Sequence, residues 1–159
     1  MATQKITTFL WYDDQAEEAA ALYTSLFGDS RITHVQRYGE AGPGPAGSAM
    51  IVNFELAGQQ FTALNGGPSH KFTEAASLYV DCEDQAEVDR LWEALTADGG
   101  EPGPCGWLKD RFGLSWQIIP RTLTELLSDP DPAVSQPAMK AMLGMTKIDV
   151  QALRDAAGR

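Results

Sequence analysis

The stretch CGWLKDRFGLSWQIIP, residues 105–120, holds the side chains with the clearest potential for chemistry. Cys105 lies in a turn near Lys109, and nearby positive charge lowers the pKa of a thiol and raises its reactivity. Gln117 is an amide inside an otherwise apolar strand, where alternation places it on one face with Ser115. We interpret that face as the wall of a pocket, in which Gln117 hydrogen-bonds a bound molecule or an ordered water.

Each of these residues also has a purely structural explanation. Gln117 could bond the neighbouring backbone, because buried polar groups find a partner of some kind. Cys105 could simply be a loop residue. The charged run at residues 109–111 could be one solvated turn in which Asp110 bonds the backbone ahead of Gly113. Alternatively, one of its two cations meets an anionic ligand at the mouth of the pocket.

Aromatic side chains supply large flat surfaces in the same chain. Phe9, Trp11 and Trp107 suit a planar or apolar ligand, although aromatic residues also build ordinary cores. Asn65 stands at a strand end, from which it either points into a cavity or stabilises a turn. We interpret the two histidines, His34 and His70, as surface residues, because neither stands at a spacing that signals a catalytic triad.

A repeat organises the elements that position these residues. DDQAE at residues 13–17 returns as EDQAE at residues 83–87, and a strand-like run precedes each copy. Apolar residues at helical spacing follow both copies, up to a glycine in each case. Asp14 and Asp84 stand where N-caps belong, with a glutamate three residues later at capping-box spacing. Each half therefore predicts a strand, a helix and up to three further strands.

The strands and the tail follow from the same patterns. Three strand-like runs occupy residues 31–38, 48–56 and 59–64 of the first half, with a hairpin turn before the last. The second half is less regular before its final strand at 114–120. The glycine- and proline-rich loop at 39–47 is interpreted as a mobile connection, or alternatively as a lid over a pocket.

We predict a single domain over residues 1–159. It contains a first module at 5–66, a second at 67–121 and a helical C-terminal tail at 122–159. Within the tail, the run DPDPAVSQP predicts a turn-rich connection. Asp149 predicts the cap of the last helix. A methionine-rich stripe there predicts packing on the body of the domain or on a dimer partner, or alternatively an adaptable ligand-facing surface.

Composition excludes several classes of partner. The 159 residues carry a net charge of -10, and such a surface repels phosphate backbones and anionic lipid. We therefore expect no nucleic-acid partner and no membrane. Two cysteines without a paired framework indicate a cytoplasmic protein with reduced thiols. Of these, Cys82 ends a strand and reads as a small buried apolar residue.

The duplicated strand-helix-strands module resembles the vicinal oxygen chelate superfamily, which includes glyoxalase I, ring-cleaving dioxygenases and bleomycin-resistance proteins. Within it, the chain is most similar to the PhnB-like family, whose members are often labelled demethylubiquinone methyltransferases. The matching stretches are ITTFLWYDDQAEEAAALYTSLF, FTALNGGP, CGWLKDRFGLSWQIIP and MKAMLGMTKIDVQAL. The resemblance implies an α+β fold of tandem βαβββ modules that form a curved mixed sheet around a pocket, often completed by a homodimer.

Metal-dependent members of this superfamily place His, Glu or Gln at four pocket-facing positions. Matching the two halves puts Thr7, Thr62, Ser77 and Gln117 at those positions. Three hydroxyls and an amide bring no negative charge, whereas divalent transition metals prefer imidazole, thiolate or carboxylate. We therefore predict no metal and no cofactor.

The predicted function is binding of a small molecule by a metal-free protein that forms a homodimer. The predicted ligand-binding residues are Phe9, Trp11, Thr62, Asn65, Ser77, Cys105, Trp107, Lys109 and Gln117. The alternative is an enzyme, either a metal-dependent lyase, isomerase or dioxygenase, or the methyltransferase of the family label. For the methyltransferase, the sequence shows no glycine-rich strand-turn-helix with a following acidic residue, as an S-adenosylmethionine site of the Rossmann type would need.

Overall fold

A computed structural model describes residues 3–159. The chain forms two compact units, of which the first ends at Phe72 and the second runs from Thr73 to Arg159. Each unit contains one four-stranded mixed sheet. The predicted α+β class and the duplication are therefore confirmed.

The first unit contains one helix and four strands. In chain order these are β1 (Thr8–Tyr12), α1 (Ala16–Leu26), β2 (Arg31–Arg37), β3 (Ala49–Leu56) and β4 (Gln59–Asn65). The strand order in the sheet is β1-β4-β3-β2, with β1 parallel to β4 and the other pairs antiparallel. The predicted hairpin turn is confirmed between β3 and β4, where Ala57 and Gly58 both have positive φ.

Helix α1 covers one face of the first sheet, against β2, β3 and β4. Its Tyr23 is fully buried and shares a hydroxyl–hydroxyl hydrogen bond of 3.1 Å with Tyr12. The rings of Phe54 and Phe61 stack beneath it with centroids 5.5 Å apart. Burial of these large side chains removes apolar area from water and is the main stabilising contribution in this unit.

The second unit repeats the arrangement with shorter strands at one edge. Its elements are β5 (Leu78–Cys82), α2 (Gln85–Thr96), β6 (Glu101–Pro102), β7 (Trp107–Lys109) and β8 (Ser115–Pro120). The strand order is β5-β8-β7-β6, and β5 is parallel to β8. Helix α2 packs on β5, β7 and β8 and buries Val88, Leu91 and Leu95. A single 3₁₀ turn, Pro104–Gly106, separates β6 from β7.

The tail folds as three helices: α3 (Arg121–Leu127), α4 (Pro132–Leu143) and α5 (Val150–Ala157). The prediction of a turn-rich connection over DPDPAVSQP was wrong, because most of it belongs to α4. Asp131 caps this helix by accepting a hydrogen bond from Ala133 N at 2.9 Å. Pro132 occupies the first turn, where its missing N–H costs nothing. The three helices form one core with Ile119 of β8, against which Met142 and Met145 pack.

The two repeated helix starts differ in how they are capped. Asp84 caps α2 as predicted, because its side chain accepts from Glu87 N at 2.9 Å. The prediction for Asp14 was wrong, since the N-cap of α1 is Gln15. Instead, the amide of Ala16 donates to Asn65 Oδ1 at 2.8 Å. A side chain 49 residues away thus satisfies the first turn of α1, which a local sequence pattern cannot show. Asp149 caps α5 as predicted.

The glycine-rich loop at 39–47 wraps around one buried ring. A Cβ on Gly44 would lie 2.4 Å from Tyr38 Cε2, and one on Gly42 would lie 2.7 Å from Tyr38 Cδ1. The hydroxyl of Tyr38 donates to Asn65 O at 2.6 Å. Glycine is therefore required at both loop positions by the close approach of the ring.

Between residues 3 and 159, no helix has the length and apolar character that crossing a membrane requires.

Candidate functional site

The open face of the second sheet carries two rows of side chains. Sheet register aligns Tyr79, Gln117 and Trp107 across β5, β8 and β7. The neighbouring row aligns Ser115 with Lys109, and Lys109 with Glu101. Directly paired residues point to the same side of a sheet. The face opposite α2 therefore combines an aromatic row with a charged row.

Gln117 has a side-chain partner on this face. Its Nε2 donates to Ser77 Oγ at 3.0 Å. The alternative interpretation, in which Gln117 bonds only the neighbouring backbone, is therefore wrong for the Nε2 atom, because its partner is a side chain. The pairing joins the two residues that stand at predicted ligand positions of the second module.

A pocket of about 430 Å³ opens beside these rows. Of the predicted ligand-binding residues, it brings together Cys105, Trp107 and Lys109. The remaining lining consists of Glu74, Glu101, Pro102, Gly103, Pro104, Leu108 and Ser115. Strand alternation already placed Ser115 beside Gln117, so that residue could have been found from the sequence. Glu74 lies in the segment of the second module before β5, where no periodic pattern indicated a role.

Ser115 is the most unusual polar residue of the pocket. It is 2% exposed, and no residue in the described range 3–159 hydrogen-bonds its hydroxyl. Among the described residues, Arg111 Nε is the buried side-chain atom without a partner, so the Ser115 oxygen itself still reaches solvent at the pocket surface. The wall of the pocket thus presents a hydroxyl that a bound molecule or a water can satisfy.

Lys109 does not present a free positive charge. Its Nζ forms an ion pair with a carboxylate oxygen of Glu74. This pairing raises the pKa of Lys109, with a smaller contribution from the carboxylate of Glu101. In turn, the Lys109 ammonium holds the pKa of Glu74 below its ordinary value.

The charged run 109–111 is not one solvated turn. Asp110 is 2% exposed, and its Oδ1 accepts from Phe112 N and Leu114 N at 2.9 and 3.0 Å. The prediction that Asp110 bonds the backbone ahead of Gly113 is therefore confirmed, whereas the prediction that its side chain is solvated was wrong. Its Oδ2 also accepts from Trp116 Nε1 at 2.9 Å. Arg111 instead pairs with Asp98 at 3.2 Å.

Cys105 sits at the rim of the pocket in a left-handed backbone conformation, with φ of 58°. Non-glycine residues rarely adopt this region. The tail holds the turn in place, since Cys105 N donates to Met145 O at 2.9 Å and Gly106 N donates to Thr146 O at 2.8 Å. A side chain at position 106 would be strained, because Gly106 has a φ of 84° and a Cβ would lie 3.0 Å from the backbone oxygen of Ile118.

Cys82 behaves differently from Cys105. It is buried at the end of β5, and burial raises the pKa of its thiol to about 12. The interpretation of Cys82 as a small buried apolar residue is therefore confirmed.

The open face of the first sheet carries the predicted residues Phe9, Thr62 and Trp11. Phe9 pairs with Thr62 in register, as Tyr79 pairs with Gln117 in the second sheet. Thr62 Oγ1 donates to Asn53 Oδ1 at 2.9 Å. Trp11 Nε1 donates to Gly67 O at 2.9 Å, and its ring contacts that of His70 edge-on. The polar atoms that these two residues donate thus have partners within the unit.

Asn65 lies at the end of β4, with both side-chain polar atoms bonded. Besides accepting from Ala16 N, it donates from Nδ2 to Ala49 O at 3.0 Å. It lines a first-unit cavity of about 600 Å³ together with Asp13, Asp14, Glu17 and Arg37. The loop residues Pro43, Gly44 and Pro45 also line this cavity, and Arg37 forms an ion pair with Glu17 at 3.1 Å.

The side chains at the four predicted metal positions do not fit a divalent transition metal. In the first unit they are the hydroxyls of Thr7 and Thr62, and in the second the hydroxyl of Ser77 and the amide of Gln117. Within residues 3–159, no group of three His, Cys, Asp or Glu side chains could hold an ion. Neutral oxygen donors without a carboxylate, imidazole or thiolate bind such ions weakly.

Comparison with known proteins places the chain in a class and then in a family. The sequence model of the family described as 3-demethylubiquinone-9 3-methyltransferase matches residues 4–119. The chain is 41% identical to the PhnB protein of Bacillus cereus, with a TM-score of 0.67 over 74% of this chain and 99% of that one. It is therefore a protein of the vicinal oxygen chelate class, and it belongs to the PhnB-like family.

More distant structures share the fold alone. A Pseudomonas aeruginosa protein is 21% identical, with a TM-score of 0.61 over 74% of this chain and 98% of that one. The fosfomycin resistance protein FosX of Listeria monocytogenes is 18% identical, with a TM-score of 0.52 over 79% of this chain and 98% of that one. No curated protein matches the sequence.

Proposed function

We propose that this chain is a cytoplasmic, metal-free small-molecule-binding protein whose ligand occupies the 430 Å³ pocket of the second unit. The pocket volume falls within the range of small-molecule sites. Proline, leucine and tryptophan provide apolar walls, and a few polar groups converge at one side. Such a combination orients a ligand without requiring a chemical step.

The unpartnered hydroxyl of Ser115 is the observation that carries this proposal. In the empty protein this hydroxyl has no partner among residues 3–159 and faces water in the pocket. A ligand that hydrogen-bonds Ser115 replaces this water and gains a directional contact in the pocket wall. Trp107 offers a flat surface beside it, and Lys109 stands directly opposite it in the sheet register.

Two further residues support the pocket from the neighbouring row. The Gln117–Ser77 hydrogen bond fixes the orientation of both side chains, so that they form a polar surface next to Trp107. The first-unit residues Phe9, Trp11, Thr62 and Asn65 remain proposed small-molecule contacts on the first unit itself. The donated hydrogen bonds of Trp11, Thr62 and Asn65 are already satisfied within that unit, so we expect these residues to contribute chiefly apolar area.

The enzyme alternatives have less support. A metal-dependent reaction would need charged or imidazole ligands at the four positions named above. The methyltransferase reaction in the family description would need a site for S-adenosylmethionine. Each of the two described sheets contains one parallel pair of strands, and its other pairs are antiparallel, whereas a Rossmann-type site lies on a mostly parallel sheet. We therefore favour binding over catalysis.

We also propose a homodimer. Phe9 and Tyr79 stand at equivalent register positions on the open faces and are 57% and 53% exposed. Large aromatic residues that remain this exposed are enriched at protein interfaces. Native mass spectrometry reports the assembly state directly.

Native mass spectrometry of protein purified without chelator is the first experiment. A metal-free species that carries an organic adduct would support the proposal and give the mass of the ligand. A stoichiometric transition metal would overturn it. The matched variant is Ser115→Ala, which removes the unpartnered hydroxyl.

The Ser115→Ala variant has two expected effects. The free energy of unfolding of the empty protein should stay within about 0.5 kcal/mol of the wild type, because the hydroxyl has no hydrogen bond to the described residues that could be lost. Retention or affinity of the adduct should fall by about tenfold, in line with one lost hydrogen bond. The control is Ser25→Ala on the exposed side of α1, outside the pocket lining, which should leave the adduct in place. An adduct unaffected by Ser115→Ala would contradict the proposed site.

A further inference from the structure

The charges that line the second-unit pocket do not balance. Its charged residues are Glu74, Glu101 and Lys109, which give two carboxylates and one ammonium. Glu74 and Lys109 neutralise each other in an ion pair. Glu101 is therefore the carboxylate whose charge is left over at the pocket.

Glu101 is placed where a ligand can reach it. It is exposed, and within residues 3–159 it makes no ion pair and no side-chain hydrogen bond. It pairs with Lys109 in the sheet register, so its side chain stands on the face that carries Ser115 and Trp107. A carboxylate, an aromatic ring and a buried hydroxyl thus share one side of the sheet.

An anionic ligand meets two obstacles in this arrangement. To reach Lys109 it must displace Glu74, which is held in the same chain and therefore at high local concentration. It must also approach Glu101, a like charge. The net charge of -10 adds a repulsive field around the whole molecule.

A cationic ligand meets the opposite conditions. An ammonium group can pair with Glu101 without breaking an ion pair or a side-chain hydrogen bond within residues 3–159, and it competes only with the longer-range attraction of Lys109. A cation beside Trp107 is also attracted to the negative face of the indole ring. An aromatic body fits the apolar surface that Trp107 and Pro104 provide in the lining.

We propose that the pocket selects flat, apolar molecules that carry a protonated amine, and that it discriminates against carboxylates of the same shape. In this arrangement the ring packs on Trp107, the ammonium pairs with Glu101 and a polar substituent bonds Ser115. The inference rests on the proposed function, since it specifies the ligand class of the same pocket. It replaces the expectation that Lys109 or Arg111 receives an anion, because both already pair with carboxylates.

Three probes with one ring system test the selectivity. They are 2-naphthylmethylamine, 2-naphthalenemethanol and 2-naphthoic acid, and their dissociation constants are measured by calorimetry at neutral pH and physiological salt. We expect the amine to bind about tenfold tighter than the acid, with the alcohol between them. Tightest binding by the acid, or equal binding by all three, would overturn the inference.

Variants assign the selectivity to the pocket. Glu101→Gln should reduce the amine-to-acid preference by about tenfold, because the unpaired carboxylate is removed. The matched control is Glu93→Gln, which neutralises an exposed carboxylate on α2, outside the pocket lining. An unchanged preference in Glu101→Gln, or an equal loss in Glu93→Gln, would contradict the role of Glu101.

The failure of this inference can be distinguished from the failure of the proposed function. A neutral or anionic molecule retained by the wild type and weakened by Ser115→Ala would keep the binding function and overturn the amine class. Methylammonium, which lacks a ring, should bind far more weakly than 2-naphthylmethylamine. Equal binding of both would show a surface charge effect and would also overturn the inference.

Discussion

The two sheets share a strand order but differ in the polar side chains on their open faces that lack a hydrogen-bond partner in the described chain. Both have the strand order first-last-third-second, and both pair an exposed aromatic residue with a polar one, Phe9 with Thr62 and Tyr79 with Gln117. On the first sheet, Thr62 bonds Asn53 from the neighbouring strand. On the second, Ser115 has no partner in the described chain. Duplication thus preserved the scaffold, while the polar groups on it diverged.

The difference begins at the sheet edge. The first unit has strands of 7 and 8 residues at β2 and β3, whereas β6 and β7 have 2 and 3 residues. Pro102 and Pro104 lack the N–H groups that would extend the ladder, so pairing stops there. The following residues from Gly103 to Cys105 leave the sheet and form one wall of the pocket. A full-length edge strand would supply cross-strand partners instead.

The repeated glutamine shows the same divergence. Gln15 is the N-cap residue of α1, and its side chain makes no capping bond there. Gln85 forms two hydrogen bonds with the tail: its Nε2 donates to Ile148 O at 3.0 Å, and its Oε1 accepts from Val150 N at 2.7 Å. The same segment of the tail bonds the Cys105–Gly106 turn. The tail therefore supports the rim of the pocket, which has no counterpart in the first unit.

The largest expected effect compares the two hairpin turns. The first-unit turn consists of Ala57 and Gly58 at positive φ, whereas the second is anchored by buried Asp110. Asp110→Ala leaves three donors unmet, at Phe112 N, Leu114 N and Trp116 Nε1. We expect the free energy of unfolding to fall by about 3 kcal/mol in chemical denaturation.

A matched variant controls for the loss of a carboxylate as such. Glu93→Ala on the exposed side of α2 should change stability by less than about 0.5 kcal/mol. Asp110→Asn keeps an acceptor for the two backbone amides and loses the one for Trp116, so it should lie between the other two. A loss below about 1 kcal/mol in Asp110→Ala would contradict the anchoring role.

The two helix caps provide the next comparison. Asn65→Ala removes the long-range cap on Ala16 N and a second bond to Ala49 O, so we expect a loss of about 2 kcal/mol. Asp84→Ala removes one local cap bond and should cost about 1 kcal/mol. The measurement is urea unfolding of each purified variant. Asp14→Ala is the control, since the sequence pattern predicted a cap that the structure does not contain. A cost for Asp14→Ala equal to that for Asn65→Ala would reverse the assignment.

The smallest expected effect is a difference in the reactivity of the two thiols of the second unit, Cys82 and Cys105. Cys105 lies at the pocket rim, whereas Cys82 is buried and its pKa is raised to about 12. We expect iodoacetamide at pH 8 to label Cys105 in the native protein and Cys82 only after unfolding. Peptide mass mapping of the labelled protein identifies the site. Native labelling of Cys82 at the rate of Cys105 would contradict this assignment.

The same shift has a pH consequence. The folded-state pKa of Cys82 lies above its ordinary value of 9.0, so the folded protein holds the proton more tightly. The stability from the buried neutral thiol is complete below pH 9 and is lost as the pH rises from about 9 towards about 12. In Cys82→Ala this part of the alkaline loss should disappear, as thermal unfolding across that range would show.

The amino-acid sequence by itself determined the modular frame. The repeat at an offset of 70 residues, strand alternation and helical spacing are local or periodic signals, and they led to most of the strands. The resemblance of four longer stretches implied the α+β fold and the PhnB-like family. Alternation also placed Gln117 and Ser115 on one face before any coordinates. The same local signals misassigned the start of α4, because a proline in the first turn and one in a loop look alike in sequence.

Only the tertiary structure decided which polar groups meet. Three contacts join residues that are distant in sequence. They are the hydrogen bond from Ala16 N to Asn65, the ion pair between Lys109 and Glu74, and the hydrogen bond from Gln85 to Ile148 O in the tail. Such pairs have no periodic signature, because they depend on how whole elements pack. The lack of a protein partner for the Ser115 hydroxyl within residues 3–159 also depends on tertiary packing, because it can be seen only when all neighbouring side chains are placed.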